Sequence, residues 1–580
     1  MSFLRNFLAV IAGLVIFSLF SFFVFIGIVA SLENDEIPTV KENSVLYLKM
    51  SGLLTERTQE DPLQELLPQS GPAFTGLLDL LDAIKAAKSD DNIRGIYMEH
   101  QYLAAGFASL QEVRNALLDF KESGKFIYSY GAYVSEGDYF LASVADTIML
   151  HPEGSLEFNG LAVTMTFWKG MFDKLGIEPE IFRVGQYKSY VEPFQQKSMS
   201  AENRTQYKEL LTSVYTHYLK EVAKSRDTDA QKLRNISDQL LVQLPSDAVS
   251  YGLVTRLAYE DEAKALIRTR IGLEADQEIS FISHKSYSKT VTNEFSKNKV
   301  AVIVASGEIV MGGGENVISG EQFAREIRKA RENEQIKAIV LRVNSPGGSL
   351  TASDMIWREI QLTKGVKPVI ASMSDVAASG GYYISMFCDT IVAQPTTITG
   401  SIGIFGMMFN LDPFLEGKLG ITHDVVRTGE YSDIMTVTRS LSPYERSVIQ
   451  KSVEKGYQSF ITKAAEGRGM TPEEINERGG GRVWTGIQAQ ENGLVDVLGS
   501  YKDAVQLAAT AAGIQDDYRI VQYPFQQPFF ERVFGRLGDE ADARILSSTP
   551  YFFSAYKQEI ESLLRMKGIQ ARMASDIHFE

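Results

Sequence analysis

"SEGDYFLASVADTIMLHP", Ser135 to Pro152, and "ASGGYYISMFCDTIVAQP", Ala378 to Pro395, are one pattern written twice, 243 residues apart. "IRGIYM" (Ile93–Met98) and "IKAIVL" (Ile336–Leu341) share that offset. Upstream, "VLYLKMSG" (Val45–Gly52) pairs with "VAVIVASG" (Val300–Gly307), each a short β-branched run ending in Ser-Gly. "FRVGQYKS" then matches "VRTGEYSD" after a one-residue slip, and "AVSYGLV" (Ala248–Val254) matches "AQENGLV" (Ala489–Val495). Five matches in the same order define a tandem duplication, a feature that fixes the architecture before any single element is assigned.

Within each copy, short apolar runs alternate with helical stretches such as "TGLLDLLDAIKAAKSD" and "GEQFAREIRKARENE". That alternation predicts an α/β fold built from β-α-β crossovers on a mostly parallel sheet. The expected division is a first repeat over residues 42–265, a polar linker over 266–297, a second repeat over 298–510 and a C-terminal extension over 511–580. The extension has no counterpart in either copy. Its aromatics and prolines ("QYPFQQPFFERVF", "TPYFFSAY") suit packing on a neighbour or a place near a membrane.

The first 33 residues are a different kind of sequence. Phe7 to Leu32 is 26 residues without a charge, enough for a helix to cross a hydrocarbon core of roughly 30 Å. A cleaved signal has a shorter apolar run of about 7–15 residues and small residues before the cut. Here the only tempting cut, after Ala30, has Ile28 two residues upstream, so residues 1–33 are expected to be an uncleaved anchor. Arg5 precedes the span, and Glu33, Asp35 and Glu36 follow it. The positive-inside rule then places the remainder outside the cytoplasm, in a bacterial periplasm.

Composition removes several function classes. A net charge of −15 argues against nucleic acid, which needs clustered Lys and Arg. The single cysteine, Cys388, and six scattered histidines provide no metal-ligand spacing. No cofactor and no metal are expected.

The polar chemistry is divided between the copies. In the second, "LRVNSPGGSL" ends a buried strand in Pro346-Gly347-Gly348, a turn with bare N–H groups beside a helix start, suited to holding an oxyanion. "SDVAASGGYYIS" places Ser379 before Gly380 at the start of another helix. At the matching positions the first copy has Leu103-Ala104-Ala105 and Glu136. The first copy carries Lys188 in "GQYKSYVEP", where the second has Ser432. A serine hydroxyl is a weak nucleophile near neutral pH and needs an adjacent base. A lysine desolvated enough to lose its proton can serve, and no histidine lies near either serine motif. The complementary pattern is what one site assembled from two halves requires.

"NSPGGS", "AASGGYY", "TGSIGIFG", "VGQYKSYVEPF" and "GRVWTG…GLVD", with the anchor and the duplication, resemble the signal peptide peptidase A (protease IV) family in its long bacterial form, within the Clp-protease/crotonase superfamily. The resemblance runs from the anchor to about residue 510. It implies a duplicated Clp/crotonase-like fold behind a transmembrane helix, with Ser379 as nucleophile and Lys188 as general base. It also implies that Ser401 of "TGSIG" orients the lysine, that Gly348 and Gly380 donate to the oxyanion, and that Gly347 shapes the turn. The implied protein is a membrane-anchored serine endopeptidase of the bacterial inner membrane, single-pass through residues 7–32. Its catalytic part faces the periplasm, it forms a bowl-like homotetramer, and it degrades cleaved signal peptides and other apolar peptides. "GSIGIFGMMF" (Gly400–Phe409) offers flexible Met and Phe side chains beside the presumed site for such substrates. The alternatives are a broader protease for membrane-protein quality control, a crotonase-type acyl-binding protein, and a scaffold without proteolytic activity.

Overall fold

The strand Ile336–Ser345 reads as an unbroken apolar run interrupted by one arginine, and it is buried along nearly its whole length. Such strands belong inside parallel sheets covered on both faces. In the computed structural model, which describes residues 5–7, 9–11, 13–21, 38–58, 74–291, 295–314, 316–525 and 569–573, this strand lies between Lys299–Ser306 and Val369–Ala378, parallel to both. The first half repeats the arrangement. Ile93–Ala104 lies between Ser44–Thr55 and Phe126–Val134, again in parallel. The pairing register repeats with the sequence: Val45 faces Gly95 in one half and Val300 faces Ala338 in the other. The chain is therefore an α/β protein made of two copies of one parallel-sheet arrangement.

Helices cover the sheets with apolar faces written at helical spacing. In Gly320–Glu332 the buried side chains include Phe323, Ala324, Ile327 and Ala330. Its start is fixed by Ser319, whose hydroxyl accepts a hydrogen bond from the Gln322 N–H.

A third, smaller sheet takes strands from both halves and from the C-terminal extension. Its order runs Val317–Ser319, Glu308–Val310, Gly347–Ser349, Gln570–Arg572, Ile404–Asn410, Glu178–Val184. The last of these belongs to the first half. It lies antiparallel to Ile404–Asn410 of the second half over seven paired residues, from Ile404 opposite Val184 to Asn410 opposite Glu178. The extension also supplies Arg519–Tyr523, which pairs in parallel with Lys299–Ser306 at a sheet edge.

Residues 5–7, 9–11 and 13–21 are helical, with Phe7, Val10, Leu14, Ile16, Phe17 and Phe20 all exposed. Residues 8, 12 and 22–32 of the expected span lie outside the described residues, as do 526–568 and 574–580 of the extension. Among the described residues no helix is long and apolar enough to cross a membrane.

The halves are also joined by a buried charge cluster. Arg342 is 0% exposed, with its guanidinium 2.9 Å from Glu56 and 3.2 Å from Glu112, both first-half carboxylates. Ser372 and Ser374 accept from the same group, and Glu112 accepts from the Tyr501 N–H. Removing one member of such a cluster strands the others without water or partner. Arg342→Met is expected to cost about 3–5 kcal/mol in thermal or denaturant unfolding. Adding Glu112→Gln should return part of that loss, since contacting residues are not additive.

Candidate active site

The short antiparallel pairing between the halves delivers Lys188. The strand Glu178–Val184 ends at Gly185, the chain turns, and the Tyr187 N–H donates to the Gly480 carbonyl at 2.9 Å. Gly481 lies so close that a Cβ on it would stand 2.5 Å from the Lys188 nitrogen. Only glycine fits there. The side chain of Lys188 then runs past Gly403, whose Cβ would sit 3.1 Å from Lys188 Cδ.

At its end, Lys188 Nζ lies 2.7 Å from Ser379 Oγ, 3.0 Å from the Ser401 carbonyl and 3.1 Å from Ser401 Oγ. Lys188, Ser379 and Ser401 are all 1% exposed or less. Burial pushes the Lys188 ammonium well below the ordinary lysine pKa, because the charged form is the one that loses most from desolvation. The seven-position pairing and the two glycines thus hold an amine from one half against a hydroxyl from the other.

Ser379 stands at the joint between the strand Val369–Ala378 and the helix Gly380–Ser385. Its φ of 56° and ψ of −110° are unusual for a residue with a Cβ, a strain that clusters at functional positions. The Ser379 N–H donates to the Gly400 carbonyl at 2.8 Å. Its hydroxyl makes no capping bond to the helix, which leaves it for Lys188. Gly347 and Gly348 take φ values of +101° and +151°. A Cβ on Gly348 would meet the Ile309 carbonyl at 2.1 Å, so the turn exists only with glycine. Gly380 N lies 2.6 Å from where a Gly347 Cβ would stand, which places the turn against the start of the Ser379 helix. The six residues singled out in the sequence are therefore brought together in one place.

In the first half, Glu136 fills the position of Ser379 and is buried. Its carboxylate accepts from the Asn159 and Gly160 N–H groups at 2.9 and 2.8 Å, and burial raises its pKa to about 7. The turn of Ser432, opposite Lys188 in the repeat, is exposed, and Ser432 bonds only locally to Gly429. The sequence spacing gave no hint that His100 would lie 3.3 Å from Asp138 and 3.0 Å from Ser129. All three are sealed in the first core and reach no cleft. Also unforeseen were the Gly480–Gly481 cradle and Tyr190, whose ring stacks on Phe405 at 5.0 Å.

A buried serine at a strained strand–helix joint, in contact with a deprotonatable amine, fits the class of serine peptidases. Comparison with known families matches the chain to peptidase family S49 over residues 119–274 and again over 361–515, and to Clp protease over 292–396. The first S49 match contains Lys188 and the second contains Ser379 and Ser401. The chain is 36% identical to Protease 4 of Salmonella typhi, over 86% of this chain and 83% of that protein. It is 33% identical to the chloroplastic serine protease SPPA of Arabidopsis thaliana, over 92% and 78%. A putative signal peptide peptidase SppA of Enterococcus faecium is 34% identical over 44% of this chain and 74% of its own. The chain belongs to peptidase family S49 and is a serine peptidase.

The lowered pKa of Lys188 has a consequence for stability. Between the folded value and the unfolded value of about 10.4, the unfolded chain binds more protons, so stability rises with pH across that window. The cost of burying the ammonium is complete below the folded pKa and gone above the unfolded one. Lys188→Met removes that cost. Its melting temperature relative to the wild type is expected to be most favourable on the acid side and to lose that advantage as pH approaches 10. A difference independent of pH would contradict the lowered pKa.

Proposed function

We propose that Ser379 and Lys188 act as a catalytic pair, and the observation that carries this reading is the 2.7 Å contact between Lys188 Nζ and Ser379 Oγ, both buried. Neutral Lys188 takes the hydroxyl proton as Ser379 Oγ attacks the carbonyl carbon of a peptide bond. The oxyanion that forms is met by the N–H groups of Gly348 and Gly380, with Gly347 permitting the turn that aims them. The new ammonium returns the proton to the leaving amine. A water, deprotonated by the same lysine, then releases the acyl group. Ser401 accepts from Lys188 through both its carbonyl and its hydroxyl and so points the amine at Ser379. A carboxylate in that place would hold the proton on the lysine; a hydroxyl and a carbonyl orient it without adding charge.

Cleaved signal peptides and other apolar peptides are the proposed substrates. Phe172, Phe194, Phe409, Tyr190 and Phe405 form a contiguous aromatic group along the strand Ile404–Asn410, with Met407 and Met408 half-buried beside it. The printed name of the Enterococcus faecium relative agrees with this class. The charge-free run 7–32 is proposed to anchor the chain in the inner membrane with the remainder exported, and the exposed apolar side chains between Phe7 and Phe20 suit contact with lipid. The name of the Arabidopsis thaliana relative places that protein in a chloroplast, so membership of the family does not by itself fix a compartment. A homotetramer, implied by the family resemblance, is proposed as the assembly; light scattering is expected to give the mass of four chains, and the mass of one chain would contradict it.

Ser379→Ala and Lys188→Ala are each expected to lower kcat/KM on the order of 10⁴-fold or more, and the double variant to be no worse, since the two act as a unit. Wild-type activity should rise with pH through one ionisation below that of ordinary lysine, because only the neutral amine accepts a proton. Retained activity in Lys188→Ala would remove the lysine from the mechanism. Offered signal peptides and an unfolded polar protein together, the detergent-solubilised enzyme should cut the signal peptides first; equal rates would favour broad quality control.

A further inference from the structure

Lys188 is followed by Ser189, and a single side chain ties Ser189 to the second half. Gln206, on the helix Ala201–Arg226, donates from its amide nitrogen to Ser189 Oγ at 3.4 Å. Its amide oxygen accepts the Val483 N–H at 3.0 Å. A backbone N–H can only donate, so the Val483 bond fixes which end of the amide is oxygen. Val483 pairs with Gly400, whose carbonyl takes the Ser379 N–H at 2.8 Å. The Ser401 N–H donates to the carbonyl of Arg482, just before Val483, at 2.6 Å. One amide therefore stands between the neighbour of the base and the backbone that fixes Ser379 and Ser401.

The surroundings of Gln206 are buried and their charges are occupied. Ser189, Glu192, Asn203 and Gln206 are each 3% exposed or less. Gln206 donates a second bond to Asn203 Oδ1 at 3.4 Å, and Asn203 donates to Glu192 at 2.9 Å. The Glu192 carboxylate also accepts the Ser200 hydroxyl at 2.6 Å and the Ser200 N–H at 3.2 Å. Alongside, Glu209 and Arg482 pair with each other. The lowering of the Lys188 pKa has burial as its cause. The second copy is built differently. Ser200 caps its helix as Ser442 caps Pro443–Arg468, and both helices are 26 residues long. Counted from these caps, Asn203 corresponds to Glu445, and Gln206 to Val448, which is 40% exposed. There Arg439 pairs with Glu445 at 2.6 Å and with Asp433 at 2.9 Å, a partly exposed ionic arrangement. The copy that carries the lysine carries the buried neutral amide, and the copy that lacks one lacks the other.

We propose that Gln206 is a positioning residue of the peptidase site, its neutral amide setting the approach of Lys188 to Ser379 by bridging Ser189 to Val483. This rests on the catalytic reading given above. Gln206 acts through the residues it joins, one beside the base and one opposite Gly400. The bridge matters because a misplacement of about 1 Å can cost about 10²-fold in rate. Its neutrality matters as well, because a carboxylate in the same place would favour the ammonium form of the lysine.

The test compares the full chain in detergent as wild type, Gln206→Leu, Gln206→Glu and Lys188→Ala. A signal peptide is the substrate, and kcat, KM, the pH–rate profile and the melting temperature are measured for each. Gln206→Leu loses both bonds of the bridge and should lose about 10- to 100-fold in kcat, with KM within about twofold of the wild type. Gln206→Glu keeps an acceptor for the Val483 N–H and can accept from the Ser189 hydroxyl, so the bridge is retained and a charge is added. Its profile should move to higher pH by on the order of one unit, with kcat recovering towards the wild-type value on the alkaline side. A role in folding alone would lower the melting temperature and leave the profile of Gln206→Glu where the wild type has it. Wild-type kcat in Gln206→Leu, a loss confined to KM or to melting temperature, or an unmoved profile in Gln206→Glu overturns the proposal. If Gln206→Leu does not fold, the profile of Gln206→Glu decides alone. Those outcomes, with Lys188→Ala inactive, leave the catalytic reading intact; an active Lys188→Ala overturns both.

Discussion

Everything in the site depends on one antiparallel pairing, between Glu178–Val184 of the first half and Ile404–Asn410 of the second. Seven paired residues fix the register, and a slip of one would turn every side chain to the opposite face. With the register fixed, the chain leaving Val184 has only the short path over Gly480 and Gly481 before Lys188. The lysine then has nowhere to go but into the space beside Ser379. Its ammonium is left with two oxygens of Ser401 and the Ser379 hydroxyl in place of water. That exchange is unfavourable for a charge and tolerable for a neutral amine, and the lowered pKa follows from it.

The division of residues between the copies follows from the same constraint. A duplicated fold presents two equivalent strand–helix joints, but the crossing strand serves only one of them. At the served joint stand Ser379 and the glycine turn. At the other, Glu136 takes backbone N–H groups for itself and closes the position. The Arg342 cluster keeps the halves from drifting apart, and it draws its carboxylates from Glu56 and Glu112 of the copy that lacks the serine. Neither half is a complete site.

Much of this was legible in the sequence, and the reasons are specific. The duplication was visible because parallel strands buried on both faces are written as continuous apolar runs, and two copies of such runs at a fixed offset cannot be mistaken for turns. Ser379, Lys188 and the Gly347–Gly348 turn stood out because one copy had what the other lacked. The sheet that joins them was not legible. Its strands Gly347–Ser349 and Gln570–Arg572 are three residues each, too short to carry a period, and 221 positions of chain separate Ser349 from Gln570. The cradle at Gly480–Gly481 carried no signal of its own, since the need for it comes from a lysine almost 300 residues upstream. The extension's aromatic stretches fall almost wholly outside the described residues, and the short strand Gln570–Arg572 beyond them, which lies at the site, had no sequence signal. The apolar run 7–32 was read as an anchor; no helix long enough to span a membrane is present among the described residues, and anchoring stands on the run's length and lack of charge.

The central claim is that burial keeps Lys188 neutral at working pH so that it can accept the Ser379 proton. Its most direct test is an NMR titration of the protein carrying isotope-labelled lysine, with the Lys188 resonance identified by its absence from Lys188→Met. The account predicts a side-chain ionisation far below the rest of the lysines, shifted again in Ser379→Ala as the neighbouring hydroxyl is lost. A Lys188 resonance that titrates with the other lysines, near the free-residue value of about 10.4, would contradict it.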